Sequence, residues 1–366
     1  MKNLNSKQLI QLVSLVLVTY TIIGLGCKKS TQVSSITATN LVNFSQVNLI
    51  ASNASYRAGR VDTLLLDAYG IAFSPSGNIW LSSQVSGLSF IDDKEGNQLL
   101  APVSIPSPTA PGGGAITGLV YNGSSDFVLS NMLPAKFIFA GADGIISGWN
   151  PGTKSLGITV VDNSATSAYN GITLATNAGM NYIYAANIKT GAVDVFDGSF
   201  KPLKLTFKDP ALPMQYSPFD IKEIDGKLYV LYAKVDSNRN QMIGAGFGII
   251  NIFNTDGSFV KRFVSNGQLN APWGITKAPD SFFGSGAAGT NSTILVGNFG
   301  DGQINAYSTD GMFIGPILSN GKPLVIDGLW GISFAPATAT TIDPNRLYFE
   351  AGPKGETEGL FGYIKK

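Results

Sequence analysis

Short stretches of alternating apolar and polar side chains recur along this chain, most of them beginning beside a glycine. A small or aromatic residue, then Gly, then an alternating run appears as Tyr69-Gly70-Ile71-Ala72-Phe73, Thr117-Gly118-Leu119-Val120-Tyr121, Asn170-Gly171-Ile172-Thr173-Leu174, Trp273-Gly274-Ile275-Thr276 and Trp330-Gly331-Ile332-Ser333-Phe334. A degenerate copy, Phe219-Asp220-Ile221-Lys222, stands between the third and the last two, and successive copies are 48, 53, 49, 54 and 57 residues apart. Period-two alternation over runs of this length is a strand signal. A second apolar run follows each copy, for example Ile79-Trp80-Leu81 or Tyr182-Ile183-Tyr184-Ala185. A third strand then opens at Gly87, Gly144, Gly191, Gly248, Gly302 and Gly359. Asp-Gly pairs at Asp143, Asp197, Asp225, Asp256, Asp301, Asp310 and Asp327 suit hairpin corners that need positive φ.

Six units of about 54 residues, each with three or four short strands and no helical stripe, predict an all-β fold, a six-bladed β-propeller. The sixth unit supplies strands over 330–334, 346–349 and 359–364 and then ends one strand short. The strand-like run Phe44-Ser45-Gln46-Val47-Asn48-Leu49-Ile50-Ala51 is unassigned, so it is expected to complete the last blade, close the ring and remove an exposed edge. The propeller domain is expected over 44–366.

The region before that domain reads differently. Lys2 and Lys7 precede an apolar run from Leu9 to Gly26, which ends at the single Cys of the chain, Cys27. A basic segment followed by an apolar one is a secretory signal pattern. The boundary resembles a bacterial lipoprotein signal, with residues 1–26 removed and Cys27 lipidated, although Gly24 replaces the usual Leu. An uncleaved membrane anchor is the alternative reading. Residues 27–43, rich in Ser, Thr, Asn and Gln, suit a flexible tether. The lack of Asp after Cys27 places the domain, by the lipoprotein sorting rule, on the outer membrane facing the periplasm.

Composition narrows the chemistry. The chain has no His, which removes Ser-His-Asp and Cys-His nucleophile systems and His-ligated metals, and its one Cys removes intramolecular disulfides. A net charge of +1 gives no electrostatic reason for a nucleic-acid partner. A monomer is expected.

Several stretches resemble an uncharacterised bacterial family of exported six-bladed propellers, related in pattern to NHL-repeat proteins. They are Tyr184-Ala-Ala-Asn187 with the Val193–Phe200 run, Leu269-Asn-Ala-Pro-Trp-Gly-Ile275, the Leu295–Asn305 run, and Ile326-Asp-Gly-Leu-Trp-Gly331 with the Leu347–Pro353 run. The resemblance implies fold and export and brings no activity.

Propeller ligands commonly bind at a mouth of the central channel. The residues just before the inner-strand glycines are therefore candidates for ligand binding: Tyr69, Asn170, Phe219, Trp273 and Trp330. They form either a stacking platform or the packing between blades. Asp67, Asp220, Asn270 and Asp327 are candidate oxygen ligands for Ca²⁺, or turn caps. Asn187 and Asn298 read as structural amides, Val235–Gly246 and Pro106–Gly114 as exposed loops, and Gly284–Gly289 as a loop without the features of a phosphate cradle. The favoured function is a lipid-anchored, non-enzymatic binding module for a glycan, small molecule or envelope protein. The alternative is a Ca²⁺-dependent hydrolase or lactonase of the channel, by analogy with six-bladed lactonases.

Overall fold

The computed structural model describes residues 36–284 and 293–366. The leader, Cys27 and the first part of the tether lie outside the described residues, as does most of the Gly284–Gly289 loop.

The described residues form the six blades of a β-propeller. Blade 1 lays Ala68–Phe73, Ile79–Ser83, Leu88–Asp92 and Gln98–Ser104 side by side in chain order, antiparallel throughout. Blades 2 to 5 repeat this plan, with inner strands Ile116–Tyr121, Tyr169–Asn177, Tyr216–Ile224 and Pro272–Ala278. Leu329–Ser333 is the inner strand of blade 6. Each inner strand touches the next, and that of blade 6 touches that of blade 1. Glycine opens these strands because the backbones converge near the axis: a Cβ on Gly274 would lie 2.8 Å from the Trp330 carbonyl oxygen.

Blade 6 draws on both ends of the described chain. Ser45–Ala51 pairs antiparallel with Leu360–Lys365, from Ser45 opposite Lys365 to Ala51 opposite Leu360, with a bulge between Asn48 and Ile50. Arg60–Val61 adds a short parallel strand outside it. The packed domain also reaches further back than residue 44. Ile36 and Leu41 are buried in one apolar cluster with Phe44, Phe282 and Phe283. Between them Ala38–Asn40 makes a 3-10 turn, and the Leu41 carbonyl accepts from the Leu318 amide at 2.7 Å. Two apolar side chains in a polar stretch are enough to dock it, so residues 36–43 belong to the domain and not to a tether.

The blades are held face to face by apolar layers. Trp80 of blade 1, for instance, stacks on Phe137 of blade 2 at 4.0 Å and meets Trp149 at 4.6 Å. Burying rings of this size contributes much of a β-sheet interface.

Candidate functional site

The inner strands all begin at one face of the ring, here the upper face, and the residues that open them meet at that end of the channel. Tyr69, Phe219, Trp273 and Trp330 form a single buried cluster. Tyr69 stacks on Trp330 at 3.8 Å and meets Trp273 edge-on at 5.0 Å; Phe219 lies 5.8 Å from Trp330. Phe299 stacks on Trp330 as well, at 4.0 Å. Two near-parallel rings cannot share one face at that distance, so both faces of Trp330 are covered. Exposure is 2% for Tyr69 and 1% for Trp330. Of the two readings of these rings, stacking platform or packing between blades, the geometry fits packing: they close on one another and plug the channel. Polar bonds lock the plug: the Trp273 indole donates across the axis to the Asn170 carbonyl at 3.0 Å, and the Trp330 indole donates to Asp67 Oδ1 at 2.8 Å. Asn170 is buried, with its side chain beside the Tyr69 hydroxyl.

The four candidate Ca²⁺ ligands do not converge. Asp67 Oδ1 is committed to Trp330. Asn270 Oδ1 accepts from the Gly244 amide at 2.7 Å, and its Nδ2 donates to Asp301. Asp327 is exposed and accepts from the Lys354 amide at 2.9 Å. Asp220 lines the channel below the plug. No group of three or more acidic, His or Cys side chains among the described residues can hold a metal ion. These donors do not fit Ca²⁺, which takes six to eight oxygens. Three of them satisfy backbone or indole N–H groups of turns and of the plug, the ordinary work of Asx side chains. Asn187 and Asn298 do the same for the loops before the inner strands, accepting from the Ala168 and Asn270 amides at 3.2 Å each.

The plug leaves two cavities. Above it lies one of about 310 Å³, floored by Tyr69 and Trp330 and walled by Gln84, Asn170, Lys189, Glu356 and the Asn238–Gln241 segment. Below it a narrow neck of about 30 Å³ leads into a funnel of about 450 Å³ at the lower face. Arg239 takes a left-handed φ of 68° at the tip of its loop, and its Nη1 donates to Ser217 Oγ at 3.0 Å. Asp236 fixes that loop by accepting from the Asn238 and Asn240 amides at 2.8 and 2.9 Å. Glu356 is the last of three consecutive residues at positive φ, after Lys354 and Gly355. Such strain in a non-glycine residue is maintained only where its surroundings fix it.

Burial sets the electrostatics. It pushes the Asp67 carboxyl up to about 7, helped by Glu356 and opposed by the Trp330 indole bond. It pushes Asp220 up to about 8 against the pull of Lys222. Glu350, fully buried in a middle strand of blade 6 with neither carboxyl oxygen hydrogen-bonded, is raised well above the ordinary range. Asp92 rises to about 6 through burial, although Arg60 lies 2.7 Å away. Gln84, Lys189 and Glu356 were not singled out from sequence, and Arg239 was seen only as part of a loop. Glu350 carried a signal, a lone charge in the apolar run Leu347-Tyr-Phe-Glu-Ala351.

No protein-family model matches the chain. Two uncharacterised proteins of Acanthamoeba polyphaga mimivirus are similar to it. One is 32% identical over 339 residues, covering 88% of this chain and 80% of the relative. The other is 33% identical over 341 residues, covering 88% and 86%. These relatives are viral, so they lend no support to the bacterial source that the resemblance implied. Among solved structures, the fold is similar to virginiamycin B lyase from Staphylococcus aureus, with TM-score 0.52, 13% identity, and 88% of this chain and 99% of that one covered. It is also similar to the apo soluble aldose sugar dehydrogenase from Escherichia coli, with TM-score 0.54, 14% identity, and 88% and 99% covered. At such identities the likeness shows the fold alone.

Proposed function

Because the chain belongs to the family of these two mimivirus proteins, which are uncharacterised, we propose its function from the geometry of its own site. It is a binding propeller whose upper mouth takes a small, hydroxylated, acidic ligand of the sugar-acid type. The observation that carries this reading is the 310 Å³ cavity above the plug, walled by the amides of Asn170, Gln84, Asn240 and Gln241, by the two cations Arg239 and Lys189 and by a single acid, Glu356. A pocket of that size with convergent polar groups is the usual form of a small-molecule site. The covered faces of Trp330 leave no ring for a sugar to stack on, so recognition rests on hydrogen bonds. Arg239, already braced by Ser217, presents a planar fork suited to a carboxylate. In this reading residues 1–26 act as an export signal and Cys27 as the lipid anchor. Cys27→Ser is expected to move the protein from the membrane to the soluble fraction in a bacterial host.

The binding test is ligand-observed NMR, followed by calorimetry, with a panel of monosaccharides and their aldonic and uronic acids. Acids are expected to bind more tightly than their neutral parents, and Arg239→Ala to weaken them at least tenfold, about 1.4 kcal/mol. Absence of binding across the panel at millimolar concentration, or acids unaffected by both Arg239→Ala and Asn170→Ala, contradicts the reading.

A further inference from the structure

Below the plug, the channel wall is made from the inner-strand repeat, and only one copy departs from it in charge. Five copies place Gly on the wall and then, two residues later, Ala72, Val120, Thr173, Thr276 or Ser333. Blade 4 places Asp220 and Lys222 there. Ile221 between them has 0% exposure and packs against blade 3, while Asp220 lines the neck. Lys222 lines both the neck and the funnel, so it stands where one opens into the other.

The funnel around it mixes apolar residues, among them Phe73, Val120, Tyr121 and Phe334, with the polar Thr173, Ser333 and Glu223. Lys222 makes no ion pair or hydrogen bond among the described residues. Neither neighbouring acid forms an ion pair with it. Glu223 Oε1 accepts from the Gly226 amide at 2.6 Å in the lower-face turn. Asp220 is buried, and burial pushes its carboxyl up to about 8 against the pull of Lys222. A half-buried ammonium without an ion pair, at the throat of a cavity walled in part by apolar residues, suits an anion with an apolar body.

We propose that the lower mouth is a second binding site, which takes a small amphipathic carboxylate with its apolar body in the funnel and its carboxylate on the Lys222 ammonium. The site is independent of the upper one, since the plug stands between them. The volume of about 450 Å³ is ample for a medium-chain or arylalkyl acid.

The test is calorimetry on the full chain at pH 7 with octanoate, and with octan-1-ol as the uncharged analogue. Octanoate is expected to bind saturably and at least tenfold more tightly than octanol. Lys222→Met is expected to erase that difference, Lys222→Arg to keep it, and Arg239→Ala to leave octanoate binding unchanged. Equal affinities for octanoate and octanol in the unaltered protein, no saturable octanoate binding, or loss of binding in Arg239→Ala would each overturn the proposal. The octanoate–octanol comparison needs no variant and decides the matter even if Lys222→Met fails to fold.

Discussion

Asp67 sits at a left-handed φ of 49° with its carboxyl against Gly352, one oxygen on the Trp330 indole and the other without a partner. A carboxyl kept protonated near 7 in the folded chain, and ionised from about 4 upward when unfolded, adds stability that is complete below the unfolded value. That stability is lost as pH rises through the folded one. Asp92 and Asp220 act in the same sense, up to about 6 and about 8. Stability measured by urea denaturation is therefore expected to fall from pH 5 to pH 8. Each group contributes about 1.4 kcal/mol per pH unit within its own window. Asp67→Asn keeps the acceptor for Trp330 and removes the charge. Relative to the unaltered protein it is expected to gain stability as pH rises from 4 to 7 and to gain no more above 7. A difference that is flat with pH contradicts the burial account of this residue. From sequence Asp67 is indistinguishable from a metal ligand or a turn cap, because both readings need only an oxygen at that position. What separates them is which N–H lies within reach, and Trp330 is 263 residues away.

Among the elements, the inner strands were legible because each must be small where the backbones converge and apolar where it faces the blade. The degenerate copy shows the same rule from the other side. A Cβ on Gly171 would lie 1.9 Å from Asp220 Oδ1, so the glycine of blade 3 makes room for the carboxyl of blade 4. Gly171→Ala is expected to lower stability by about 1–3 kcal/mol, the usual cost of overpacking. Asp220→Gly in the same chain should return part of that loss, whereas Asp220→Gly alone should not destabilise by a similar amount. Thermal melts of the three variants check this, and a double variant no better than Gly171→Ala counts against the contact. The loops were less legible. The turn that aims Glu356 into the upper mouth depends on three consecutive left-handed residues, of which only Gly355 announces itself in sequence. The docking of residues 36–43 rests on only two apolar side chains, Ile36 and Leu41, too few to form a periodic pattern.

On the scale of the whole molecule, the aromatic plug divides one channel into a polar upper mouth and a more apolar lower one, and both binding proposals depend on that division. The inner-strand residues Tyr69, Phe219, Trp273 and Trp330 were legible as a set that had to meet at the axis. Sequence alone left open whether they present their faces to a ligand or to each other, because that depends on channel width. With four rings and Phe299 converging, the space is filled, as close packing of protein interiors requires. Trp330→Phe, which loses the indole bond to Asp67, is expected to cost about 1–3 kcal/mol. Trp330→Ala is expected to cost about 3–5 kcal/mol, and both are readable as shifts in the urea midpoint.

The most direct check on the plug is acrylamide quenching of tryptophan emission in a Trp80→Phe, Trp149→Phe variant, where only Trp273 and Trp330 report. Their exposures of 6% and 1% call for blue-shifted emission and quenching far below that of free tryptophan. Red-shifted emission with near-free quenching would show the rings open to solvent, and the two-mouth account would then be wrong.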